Sequence, residues 1–134
     1  MLIVVSCRLR PVTAVVRYSD GKTKMESKER KALFSNETVH HDKIYYQSGQ
    51  IKSLTKARYK EPQTTDAKSD PGRKFNMMKY KNYTMWYENG NKQEKGKLKE
   101  GTGIIKEYDE SGNLTKTKKV NRYITTETHD VINK

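Results

Sequence analysis

His40, His41 and Asp42 are consecutive in this 134-residue chain, and two imidazoles with a carboxylate are residue types that hold a metal ion. Their spacing speaks against that chemistry. Adjacent side chains on a strand point to opposite faces, and the third histidine, His129, lies far along the chain, so no metal centre is expected. The stretch "GKLKEGTG", residues 96–103, has glycines and lysines, as phosphate-binding loops do. No Lys-Ser or Lys-Thr helix start follows, and it reads as a linker. Asp109 and Glu110 pair carboxylates at a turn, the ordinary place for solvated charge. Serine, cysteine and histidine fall in no motif that activates a nucleophile. The expectation is a protein that is not an enzyme, with no catalytic residue and no cofactor.

Cys7 is the only cysteine, which excludes an internal disulfide framework. It closes the apolar run "MLIVVSC", whose small residues resemble those before a lipid-modified cysteine. That reading makes Cys7 a lipidation site and a membrane tether. It needs an export signal starting upstream, because the run is shorter than the 7–15 apolar residues such a signal uses. The other reading is a first strand with Cys7 as a small buried hydrophobe. No segment is long enough to span a bilayer. As written the chain reads as cytoplasmic, with the bacterial cell envelope as the alternative if Cys7 ends a signal.

The remaining candidates are aromatic. Aligned on Gly90 and Gly112, "WYENGNKQEKG" (86–96) and "YDESGNLTKTK" (108–118) repeat at an offset of 22 residues. The match runs without a gap from Tyr83/Ile105 to Leu98/Val120. "IYYQSGQIKS" (44–53) is a third copy, with Tyr45 and Tyr46 four and three residues before Gly49. A weak fourth copy surrounds Gly21, with Tyr18 three residues before it and no aromatic at the fourth position. Tyr, Trp, Ile and Val favour a pleated surface, and Asn-Gly, Ser-Gly or Asp-Gly supplies the positive backbone angle of a two-residue hairpin turn. Each unit is therefore read as a β-hairpin. Adjacent strand positions face opposite ways, so Tyr45, Trp86 and Tyr108 form one candidate partner-binding row and Tyr46 and Tyr87 another. At most one row is wholly core.

Only 32% of residues are hydrophobic and 33% are charged, which predicts a thin core supplied largely by the nine tyrosines and single tryptophan. The net charge of +12 favours acidic partners. Lysines are spread almost evenly, and their expected role is to keep exposed β-edges from pairing. Protein ranks above nucleic acid as the expected partner, because no Arg-rich cluster is legible beside shared aromatics. The expected architecture is all-β: an elongated, single-layer antiparallel meander of repeated hairpins forming one domain over 1–134. Degenerate hairpins occupy 15–60, with "MESKERKALFSN" read as a return strand rather than a short helix. A proline-containing loop or linker follows at 61–74, the best-matching hairpins at 75–124, and a tail at 125–134. The 41 residues between Gly49 and Gly90 are expected to hold that loop and an extra strand pair.

The segment "WYENGNKQEKGKLKEGTGIIKEYDESGNLTKTKK" resembles the variant, type 2 MORN repeat family, some of whose bacterial members are antitoxin-like proteins. The residues carrying the resemblance are Trp86 to Gly90, Gly101 and Gly103, then Tyr108, Ser111, Gly112 and Leu114. Ile105 and Tyr83 stand where the family usually has Trp, and the 61–74 loop departs from its spacing. The resemblance implies an array of hairpins used as an interaction surface, without catalytic residues. Three functional expectations follow: a protein-binding module, antitoxin-like in the family's sense; an envelope lipoprotein tethered through Cys7; and an electrostatic binder of nucleic acid or anionic membrane.

Overall fold

The computed structural model describes residues 11–32, 37–60 and 78–132. Cys7 and the 61–74 segment lie outside the described residues. Among the described residues, nine strands form a single antiparallel sheet in chain order. They are β1 Val12–Arg17, β2 Thr23–Lys31, β3 Glu37–Tyr45, β4 Ile51–Lys60, β5 Met78–Trp86, β6 Lys92–Lys99, β7 Thr102–Tyr108, β8 Leu114–Asn121 and β9 Ile124–Asp130. The expected all-β meander of hairpins is thus the architecture of the chain.

Four hairpins, β1–β2, β3–β4, β5–β6 and β7–β8, share one turn. In the third, the Gly90 N–H donates to Tyr87 O at 3.0 Å and the Tyr87 N–H to Asn91 O at 2.9 Å. Three residues are therefore looped out, rather than the expected two. The only left-handed residue in each loop is its glycine, with φ of 85° at Gly21, 95° at Gly49, 89° at Gly90 and 90° at Gly112. A type I turn followed by a left-handed glycine is the usual three-residue hairpin, and it leaves a bulge on the return strand. The register shifts in every copy: Trp86 pairs with Lys92 while Met85 pairs with Glu94. Arg17, Tyr45 and Tyr108 head the same shift. The Gly21 copy, weak in sequence, is equivalent in its turn.

The opposite margin uses true two-residue turns, Glu100-Gly101 and Arg122-Tyr123, with positive φ at all four residues. Three-residue and two-residue turns alternate, and this sets the 22-residue period. Gly101 and Tyr123 touch across the repeats: the Tyr123 N–H donates to Gly101 O at 2.9 Å.

Two expectations need correction. The 125–134 tail supplies β9 as far as Asp130, which pairs with β8 through bonds such as the ladder around Lys118 and Thr128. Every residue of β9 is exposed, so backbone pairing rather than side-chain burial forms it. Between Gly49 and Gly90, β4 pairs directly with β5, with no additional strand pair among the described residues.

Candidate binding face

Cross-strand partners share a face, so the register divides the sheet into two. One face contains Ala57, Met78, Leu98 and Val120, which are buried, and supplies most of the thin core. Gly96 lies beneath the Tyr83 ring, where a Cβ would meet Tyr83 Cε1 at 2.1 Å. Polar groups on this packed face are mostly partnered. Ser27 donates to Asp42 at 2.5 Å, Tyr83 to Glu94 at 2.5 Å, and Lys118 pairs with Glu107. Burial and then the Glu94 bond push the Tyr83 phenol far above its ordinary pKa.

The opposite face is lysine-rich. One row across it runs Lys28, His41, Lys56, Asn82, Lys97, Ile104, Lys119. A second contains Lys43, Leu54, Thr84, Lys95 and Lys106. A third contains Arg30, Val39, Arg58, Tyr80 and Lys99. The acids on its strands are Glu26, Glu37 and Glu127. Glu37 pairs with Arg58 at 3.2 Å and Glu127 with Lys119 at 2.9 Å. Lys28, Lys56, Lys95, Lys97, Lys99 and Lys106 are exposed and have no carboxylate partner among the described residues.

Like charges directly opposed on a sheet are unfavourable, yet Lys95 faces Lys106. His41 reports the same field. What little water its ring loses, and next the charges of Lys56, Arg30 and Lys28, lower its pKa against the opposing effect of Asp42. Among the described residues the two edge strands, VTAVVR and ITTETHD, contain no lysine at all. This overturns the expected edge-guarding role: the lysines of the strands lie in the interior of the sheet, where their charges accumulate on one face.

The aromatic candidates separate by function. Tyr46 donates its hydroxyl to Trp86 O at 2.8 Å, and Tyr87 to Tyr108 O at 2.9 Å. Tyr18 makes the matching bond to Tyr45 O at 2.7 Å. The tyrosine three residues before each glycine thus bridges to the next hairpin. In the last copy this position is Asp109, which instead accepts from the Asn113 backbone N–H at 2.8 Å and ends the series. Tyr45, Trp86 and Tyr108 are half-buried and lie by register on the lysine face, with the Tyr45 hydroxyl donating to Glu26 at 3.3 Å. Their carbonyls accept the bridges; their rings border the cations.

His40 and His41 fall on opposite faces, as their adjacency requires. His40 packs edge-on against Tyr59, with ring centroids 5.2 Å apart, on the packed face. The described residues contain no cluster of three His, Cys, Asp or Glu placed to hold a metal. No helix among them is long and apolar enough to cross a membrane.

A hollow of about 750 Å³ opens on the lysine face over β4 to β7. From β5 it is lined by Lys79, Tyr80 and Asn82, and its wall includes the carboxylates Glu37 and Glu100; Thr84 and Trp86 continue the same face of β5 beyond the hollow. Arg58, Lys56 and Leu54 on β4 flank Tyr80, Asn82 and Thr84, as do Lys99, Lys97 and Lys95 on β6, in register. Arg58 lies over the Tyr80 ring, 5.5 Å from its centroid, and its buried Nε has no hydrogen-bond partner among the described residues. Sequence reasoning missed this trough because it depends on which strands neighbour β5. Alternating lysines in "KQEKGKLK" were the available signal. In comparison with known proteins, the chain gives no match to a family model, a curated sequence or a solved structure.

Proposed function

We propose that the protein is a non-enzymatic binding module that docks an acidic macromolecule on the lysine face of its sheet. The supporting observation is the difference between the faces: on the packed side Glu94 and Glu107 stand opposite each other and are bound by Tyr83 and Lys118, whereas the other side opposes Lys95 to Lys106 among exposed lysines that have no carboxylate partner among the described residues. Such juxtaposition costs stability in the free protein, and a bound polyanion relieves it. Tyr45, Trp86 and Tyr108 stand on the same face, so cationic and aromatic contacts serve one docking surface. This reading keeps the expected binding module but moves its working surface from an aromatic row to the cations beside one. The antitoxin-like and Cys7-tethered readings rest on sequence alone.

The test is calorimetric titration with two soluble polyanions, heparin and polyglutamate, at about 50 and 200 mM salt. Binding that weakens steeply over this range is the expected result. Failure to bind either probe at low salt contradicts the proposal.

A further inference from the structure

The trough along β5 is narrower in its demands than a general basic surface. Its floor and banks differ by strand: cations of β4 and β6 flank Tyr80, Asn82, Thr84 and Trp86 of β5, and the β5 cation that lines the hollow, Lys79, is paired with Glu100. Because β4 and β6 are two strand spacings apart, their backbones lie about 10 Å from each other. Along the floor, Tyr80 and Trp86 are six residues apart, about 20 Å in an extended strand. Trp86 offers one planar surface, and the Arg58 guanidinium stacked over Tyr80 offers another. Between them Asn82 and Thr84 present an amide and a hydroxyl.

We propose that this trough binds single-stranded nucleic acid, its phosphates held by Lys56, Arg58, Lys95, Lys97 and Lys99 and its bases stacked against Trp86 and the Arg58–Tyr80 pair. Cationic banks with planar groups between them are the arrangement by which single strands are held without strict sequence preference. An acidic polypeptide would use the lysines but has no use for the planar surfaces. An anionic bilayer likewise would use the lysines but offers no base to stack on the planar surfaces. A duplex is too broad to lie between the banks. The proposal rests on the lysine-face reading above and adds the class of partner and its seat.

The chain has a single tryptophan, so its emission reports directly on Trp86. Fluorescently labelled 20-residue oligouridine and oligothymidine are titrated into the full chain, following anisotropy and tryptophan emission together. Unlabelled duplex, polyglutamate and phosphatidylserine vesicles serve as competitors. Both oligonucleotides are expected to bind and quench Trp86. The slope of log affinity against log salt should be about −3 to −4, corresponding to about five phosphate contacts by a single strand. Lys56→Glu with Lys97→Glu should weaken binding about 10-fold or more. Trp86→Leu should weaken it about 5-fold or more. Lys81→Glu, on the packed face, should leave it unchanged.

Polyglutamate or vesicles outcompeting the oligonucleotides, or binding without a change in Trp86 emission, would overturn the nucleic-acid assignment while leaving the lysine face as a docking surface. Oligonucleotide binding that ignores the Lys56 and Lys97 substitutions would overturn the trough as the seat. If no polyanion binds, both readings fall. Each variant is compared only after its cooperative unfolding has been confirmed.

Discussion

Tyr18, Tyr46 and Tyr87 each join two hairpins through one hydroxyl, while their backbone groups close their own turns. The acceptors are the carbonyls of Tyr45, Trp86 and Tyr108, so residues four positions before each glycine matter twice, as rings on the lysine face and as acceptors. Tyr87→Phe removes one such bond and should lower stability by about 1 kcal/mol in urea unfolding, with an unchanged dependence on urea. No loss would contradict the bridging role. The repeat of aromatics was legible in sequence, but the hydroxyl's destination was not, because it lies one hairpin away.

His41 makes a second prediction at this scale. It faces Lys28 on β2 and Lys56 on β4, with Glu26, Arg30 and Arg58 diagonal and Lys43 two residues along its own strand. Its folded pKa lies below the ordinary 6.5, so its contribution to stability is present above that value and is lost as pH falls through the folded one. Stability should therefore decline as the solution is acidified below pH 6.5, and His41→Gln should remove that part of the decline, as thermal unfolding at several pH values will show.

At the scale of elements, the two kinds of turn should respond differently to the same change. Gly90→Ala meets open space and should cost only the backbone penalty of a left-handed alanine, about 1–2 kcal/mol. Gly101→Ala has φ of 78° and also places a Cβ 2.5 Å from Tyr123 Cε2, so denaturant midpoints should show the larger loss there. Equal losses would mean that the Tyr123 contact is unimportant. The turn glycines were legible because only glycine serves the left-handed position cheaply, yet the loop length was not, since Asn-Gly occurs in two-residue and three-residue turns alike. The strand β9 was illegible for a different reason. "ITTETHD" is exposed along its whole length and has no apolar alternation to announce it.

The whole molecule is a nearly two-dimensional object, and charge that looks dispersed along the chain is sorted by its register. Cationic residues separated in sequence, such as Lys28 and Lys56, meet on one row through the intervening His41. The charge total of +12 was evident from composition, whereas its concentration on one face required the strand order. Two consequences belong to this scale. Lys95→Glu puts an opposite charge across from Lys106 and should stabilise the free protein by a few tenths of a kcal/mol while weakening polyanion binding. Thermal unfolding and titration of the same variant check both signs; a change in the same direction in both would separate the face's charge from its function.

The most direct test of the lysine face compares two double variants with equal net charge. Lys97→Glu with Lys106→Glu alters that face, and Lys81→Glu with Lys116→Glu alters the packed face. Heparin affinity of each is measured at about 50 mM salt. The first pair is expected to lose about 10-fold or more and the second to stay close to the parent. Equal losses from the two pairs would show that total charge alone governs binding, contradicting the assignment of one working face.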